Sequence, residues 1–314
     1  MRLSSAIEEF IQYKQALGNL YTAPAGILKA FLRKTGNLEL NALTIQHGEA
    51  FLPVQGTTVT KVWFNRYYVL ASFFRFATSR GYMQQRVLPT SLPDRPPRFV
   101  PYIYSQEDVR RLLAVPDSHY SKAYPLSPDT MRTLILLLFG SGLRLGEACR
   151  LTHEDANFRS AALTIRETKF GKSRLVPIGK DLVSILRLYR SRHRPGVGYQ
   201  RPPTLLATKI GMMIRNRHAG NQFHWLRKEA GILRFDCARY QPRLHDFRHT
   251  FAVTRLLSWY REGKDVQRML PLLSTYLGHC RIDETSVYLQ MTRELLQEAN
   301  RCFERYAFPE VHHG

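Results

Sequence analysis

The sequence predicts a mainly α-helical protein of two domains, the second of which contains a small β-sheet. Three observations lead there. Apolar residues recur at helical spacing through most of the chain. Residues 162–178, "ALTIRETKFGKSRLVPI", switch to two β-rich runs around a short Lys/Gly turn. A proline-rich stretch, "LPTSLPDRPPRFVP", separates the first ninety or so residues from the rest. The 314 residues suffice for two cores, and 44% apolar against 23% charged side chains mark a globular chain.

Taken in order, "SSAIEEFIQYKQALG" predicts a first helix with a Ser cap, early acids and a closing Gly. "APAGILKAFLRKTG" and "TIQHGEAFLPVQG" follow as shorter helices. "TVTKVWFNRYYVLASFFRFATSRG" is a long one whose aromatics, at helical spacing, belong to a core, leaving Lys61, Arg66, Arg75 and Arg80 to face a partner. After the linker, Ser105 caps the helix of "YSQEDVRRLLAV". "DTMRTLILLLFGSG" is apolar nearly all round and so a buried helix, and the β-rich stretch reads as a hairpin. From "KDLVSILRLYRSRH" onward the pattern is helical again, with "TLLAT" as a possible extra strand.

The chain has 46 Lys+Arg against 25 Asp+Glu, a formal charge of +21. Residues 1–100 carry 12 basic and 5 acidic side chains and the remainder 34 and 20, so both folded halves are basic. Two basic globular halves point to a polyanion, nucleic acid first. The four cysteines, Cys149, Cys237, Cys280 and Cys302, form no CxxC pair, which argues against a zinc site or a disulfide framework. The N-terminus lacks an apolar signal region, and no apolar run approaches the roughly 20 residues that span a bilayer. A soluble cytoplasmic protein associated with the nucleoid is expected.

In "RLHDFRHTFA", His245 and Arg248 lie three positions apart and share a helix face, with His249 beside them. An imidazole and a guanidinium side by side suit a phosphate, since Arg offers a planar fork of donors and His exchanges a proton near neutrality. A solvated helix face in an Arg-rich protein is the plainer alternative. In "GSGLRLGEACRL" the chain breaks at Gly140 and Gly142 and starts a helix near Arg144, an anion site built from backbone amides and a cation. Glu147, one turn on, can orient Arg144. Lys169 and Lys172 stand in the hairpin turn, within reach of a leaving oxygen, although most hairpin lysines are simply solvated. In "YLGHCRIDETSVYLQM", His279 follows a helix-ending Gly, and Tyr288 comes nine residues later in a new helix.

The order Arg…Lys…His-x-x-Arg…His…Tyr, carried by those segments across residues 104–290, resembles the catalytic domain of the tyrosine recombinases, the phage integrase family that includes Xer-type enzymes. The resemblance of residues 1–88 to that family's helical core-binding domain rests on position and class alone. It implies a SAM-like all-α DNA-binding domain at 1–90, a linker at 91–103, an α+β catalytic domain at 104–291 and a C-terminal helix or tail at 292–314. Together these would form a C-shaped clamp on double-stranded DNA. It further implies Arg144 and Arg248 as the phosphate-binding arginines, His245 between them, Lys169 as the hairpin lysine, His279 as a donor to the phosphate, Tyr288 as the nucleophile and Glu147 as support for Arg144. Lys172 and Arg174, in the same basic hairpin, join Lys61, Arg66, Arg75 and Arg80 as expected DNA contacts.

The chemistry agrees. Two arginines neutralise the non-bridging oxygens and the charge that grows in the transition state. The tyrosine loses its proton to His245, and the departing 5′-oxygen takes one from Lys169. No metal and no cofactor is expected, and a covalent phosphotyrosine would make religation independent of a nucleotide. The chain is therefore expected to be a site-specific DNA recombinase that works through a 3′-phosphotyrosine and a Holliday junction. A tetramer on DNA would be assembled through the C-terminal helix, where Leu295, Leu296, Ala299, Phe303 and Tyr306 mark an apolar stripe. Three alternatives stay open: a topoisomerase-like or hairpin-forming strand transferase using the same site, a catalytically silent DNA-binding accessory protein, and an RNA-binding protein. The last would need an aromatic RNP pattern, which the sequence lacks.

Overall fold

A computed structural model describes residues 1–54, 59–96, 100–166, 173–193, 203–236, 240–279, 283–290 and 293–307. The chain divides into two compact units, Met1–Arg98 and Phe99–Gly314, with the division inside the proline-rich stretch.

The first unit is helical: α1 (Leu3–Ala16), α2 (Thr22–Thr35), α3 (Ile45–Phe51) and α4 (Lys61–Ser79). Its core is aromatic. Phe73 and Phe74 of α4 meet Phe10 of α1 and Phe31 of α2 edge to face, with ring centroids 5.6 and 5.8 Å apart, a favoured geometry for π-systems. Lys61, Arg66 and Arg75 of α4 and Arg80, at its C-terminal cap, are all exposed. The expected Ser cap of α1 is absent: Arg2 occupies the cap position, and the amides of Leu3 and Ser4 go to Leu38 and to the Asn37 side chain. A tertiary contact has taken the role of a local one.

The second unit starts with α5 (Gln106–Ala114), closed by a Ser105–Asp108 capping box, and the buried α6 (Pro128–Ser141). Then come α7 (Leu145–Arg150) and a three-stranded antiparallel sheet of β1 (Ala156–Asn157), β2 (Ala162–Ile165) and β3 (Arg174–Pro177). The pair β2–β3 is the expected hairpin, with Leu163 opposite Val176 and Ile165 opposite Arg174. The unit continues with α8 (Lys180–Arg192), α9 (Asn216–Glu229), α10 (Asp246–Arg261), α11 (Val266–Leu277), the one-turn α12 (Asp283–Ser286), a 3₁₀ turn (Val287–Gln290) and α13 (Arg293–Ala307).

Two expectations need correction. "TLLAT" is no strand: Leu205 and Leu206 are buried in the core, and only Ala207 makes an isolated bridge, to Met213. Apolarity there reflects burial rather than sheet pairing. Gly140 does not break the chain, because α6 runs on to Ser141 and ends at Gly142, which takes a left-handed conformation.

Helix α10 is the spine of this unit, packed between α6 on one side and α11 and α13 on another. Leu295 of α13 is buried in the cluster formed with α10 and α11, and Arg261 of α10 faces Glu298 of α13 at 3.6 Å. Leu296 is exposed. Among the described residues no helix is long and apolar enough to cross a membrane.

Candidate phosphodiester-transfer site

The site forms where the C-terminal turn of α11 meets the start of α7 and of α10. A helix leaves its last carbonyls without partners inside the helix, and its dipole makes that end attractive to cations. Here three consecutive carbonyls each accept from a different arginine. Arg174 Nε donates to Tyr276 O at 2.8 Å, Arg248 Nη2 to Leu277 O at 2.7 Å and Arg144 Nη2 to Gly278 O at 2.9 Å. Residues distant in sequence are thereby gathered on one helix end.

The close approach depends on two glycines. Gly278 ends α11 with a positive φ of 69°, and a Cβ there would lie 2.8 Å from the Arg174 guanidinium. At Gly142, with φ 63°, a Cβ would lie 2.6 Å from the Phe251 ring of α10. Without that gap, α6 could not bring the Gly142 carbonyl onto Arg248 Nη1, which it meets at 2.9 Å.

Glu147 is the counter-charge. Its carboxylate accepts from the Arg144 amide (3.0 Å) and guanidinium (3.0 Å) and from Arg174 at 3.1 and 2.9 Å. Burial would raise its pKa, but the hydrogen bonds and charges of Arg174 and Arg144 outweigh it and hold the group at about 2. Glu147 therefore stays ionised. Arg174, expected at the DNA, is only 10% exposed and gives three of its five N–H groups to Glu147 and the Tyr276 carbonyl. It builds the site from behind, a role its place in a basic hairpin did not reveal.

Arg248 is 2% exposed, and burial followed by repulsion from Arg144 lowers its pKa to about 10, so it remains a cation at neutrality. Two of its five N–H groups go to the Gly142 and Leu277 carbonyls, which fixes the fork while leaving donors for an anion. Arg144 is more open, its side chain 33% exposed. His245 occupies the cap position of α10 and keeps one side open to solvent. Desolvation of its inner side and the nearby Arg248 lower its pKa. His249 packs edge-on to it, with centroids 5.1 Å apart.

His279 follows Gly278, and its Nδ1 lies 2.8 Å from the hydroxyl of Thr285. Burial, then Arg248 and Arg144, push its pKa down to about 3, and His249 is held at about 3 chiefly by burial. Tyr288, on the 3₁₀ turn, is only 3% exposed. Its ring lies 5.5 Å from that of His249 and 6.1 Å from that of His279. Burial raises its pKa, while the charge and hydrogen bond of Arg248 oppose the rise.

Arg144, Glu147, His245, Arg248, His279 and Tyr288 thus converge. Lys169 and Lys172 lie outside the described residues. Sequence reasoning missed Thr285, for which no local pattern gives a signal. Three arginines, one carboxylate and neutral histidines leave a net positive cleft that suits a phosphate.

The sequence profile of the phage integrase family matches residues 103–294. An integrase/recombinase of Sinorhizobium fredii is 36% identical over 96% of both chains. Tyrosine recombinase XerA of Thermococcus kodakarensis is 30% identical over 66% of this chain and 64% of its own. Among solved structures, the Tn1549 transposon integrase in complex with a circular intermediate DNA shares the fold at 18% identity, with a TM-score of 0.68 over 97% of this chain and 99% of that one. A lambda integrase tetramer bound to a Holliday junction does so at 17% identity, with a TM-score of 0.61 over 90% and 78%. The chain belongs to the phage integrase family and is a tyrosine-type site-specific recombinase.

Proposed function

We propose that this recombinase cuts and rejoins double-stranded DNA through a covalent 3′-phosphotyrosine formed by Tyr288. The observation that carries the reading is the place of the buried Tyr288 ring, 5.5 Å from that of His249 and 6.1 Å from that of His279, where the charge of Arg248 acts on its hydroxyl. Attack of that oxygen on phosphorus forms the P–O(Tyr) bond and breaks the bond to the 5′-oxygen. His245 takes the phenolic proton, and Lys169 supplies one to the 5′-oxygen. Arg144 and Arg248 stabilise the charge gathering on the non-bridging oxygens. Attack by a 5′-hydroxyl of another strand reverses the sequence and yields a Holliday junction after one exchange.

Both units are basic, and Lys61, Arg66, Arg75 and Arg80 are read as backbone contacts of the first. We take the active assembly to be a tetramer on two duplexes, working in the cytoplasm on the nucleoid. The tail from 292 onward would leave α10 and dock on the next subunit. Support comes from the seat of α13 on α10: every copy offers the same groove, so exchange between identical subunits conserves the contact and closes into a ring.

The test starts from a pool of nicked duplexes of random sequence, from which covalent protein–DNA adducts are captured and sequenced. The wild type should form adducts in EDTA without ATP. Tyr288→Phe should form none while retaining DNA affinity. An adduct with the Phe variant, or an absolute need for a divalent ion, would overturn the mechanism.

A further inference from the structure

We propose that Thr285 is a positioning residue whose hydroxyl donates to Nδ1 of His279, so that the neutral imidazole holds its single proton on Nε2 and offers it to the DNA phosphate. This rests on the recombinase reading above for the identity of the anion. The geometry comes from the side chains themselves: Nδ1 and Oγ1 are 2.8 Å apart, and Thr285 is completely buried, so no solvent competes for the contact.

The direction of that hydrogen bond follows from what surrounds the ring. The charged and titratable groups nearest His279 are Arg248, Arg144, Arg174 and His245, with the Tyr288 ring 6.1 Å away. In that cationic setting the imidazole stays neutral and has one N–H to place. A phosphate oxygen only accepts, so a bare Nε2 would turn its lone pair on an anion. Which nitrogen carries the proton is set by the partner of the other. A carboxylate or carbonyl at Nδ1 would draw the proton there and leave Nε2 bare. A hydroxyl can donate as well as accept, so it allows the Nε2–H tautomer, and the anion, which can only accept at Nε2, selects it.

The placement of Thr285 adds a consequence. It stands three residues before Tyr288, on the α12 segment that leads into the nucleophile's turn. His279 therefore keeps its donor only while that segment is docked. If the tail withdraws toward a neighbour and carries the segment with it, the phosphate site loses its oriented histidine together with its nucleophile. The two reset as one unit.

The test uses the full chain labelled with ¹⁵N-histidine. Long-range ¹H–¹⁵N correlation spectra are recorded with saturating inorganic phosphate, and the His279 signals are assigned from their loss in His279→Asn. The wild type should show a bare Nδ1 and a protonated Nε2. Thr285→Val, similar in shape but without the hydroxyl, should show mixed tautomers and form adducts on a selected nicked duplex about tenfold more slowly or worse. Thr285→Ser should restore both. A wild-type proton on Nδ1, an unchanged tautomer and rate in the Val variant, or a Ser variant no better than Val would each overturn the proposal. If the Val variant does not fold, the wild-type spectrum alone decides. The tautomer is read without DNA, so failure of the recombinase reading, seen as an adduct with Tyr288→Phe, is distinguishable from failure of this one.

Discussion

Arg174 and Glu147 form a two-point ion pair, Nη1 to Oε1 at 3.1 Å and Nη2 to Oε2 at 2.9 Å, with both side chains nearly closed to solvent. The pair ties β3 to α7, and through Tyr276 and Gly278 it ties both to the end of α11. A carboxylate held by two arginines fixes Arg144 without neutralising the whole site. The cleft keeps its positive charge because three guanidiniums share one counter-ion.

Glu147 should make stability depend on acid. Its folded pKa, about 2, lies below the ordinary carboxylate value, so its contribution is fully present above about pH 4.5 and is lost as pH falls toward 2. The difference corresponds to roughly 3 kcal/mol. Urea midpoints of wild type and Glu147→Gln should differ widely at pH 7 and converge near pH 2. Parallel curves across that range would show that the ionised pair adds nothing.

The two arginines proposed to bind the phosphate should fail differently. Arg144→Ala removes a half-open donor and should slow adduct formation on the order of a hundredfold, about 3 kcal/mol. Its loss of thermal stability should be smaller than that of Arg248→Ala, because Glu147 keeps Arg174 and the half-buried Gly278 carbonyl can turn to water. Arg248→Ala should lose a similar rate factor and also about 2 kcal/mol of stability, because the buried Gly142 and Leu277 carbonyls lose their donors. Calorimetry beside adduct kinetics separates the two. Equal melting temperatures would contradict the structural share assigned to Arg248.

The pH profile of kcat/KM should carry an acid limb below the ordinary histidine value of about 6.5. His245 is the proposed base, its pKa is lowered in the free protein, and the base form is present above that pKa. His279 and His249, held near 3, should contribute no limb in the neutral range. His245→Gln should lower the rate and flatten the limb. A limb at or above 6.5 that survives in this variant would assign it elsewhere.

Truncation after Thr292 removes α13 and its seat on α10. Binding to a single site should survive nearly unchanged, while tetramer assembly and strand exchange should be lost. Mass measurement of complexes on one and on two sites checks this. Normal tetramers from the truncated chain would rule out the exchange role of the tail.

Most of the residues that converge in the site were legible in the sequence because they sit in short local patterns. His245 and Arg248 are one turn apart, Arg144 follows the Gly142 break, and His279 follows Gly278. The hairpin, the buried α6 and the aromatic core of α4 were equally readable from periodicity, since burial acts on every third or fourth residue of a helix and every second residue of a strand.

Tertiary structure decided what spacing does not encode. Arg174 is 27 residues from Glu147 and 102 from Tyr276, and only the docking of β3 against α7 and α11 turns an expected DNA contact into the brace of the site. Thr285 meets His279 across six positions of sequence, and the Ser4 amide goes to the Asn37 side chain, 33 residues away. For Arg174, Glu147 and Thr285, polar groups that must be satisfied on burial take whichever partner packing brings near, and sequence distance does not enter that choice.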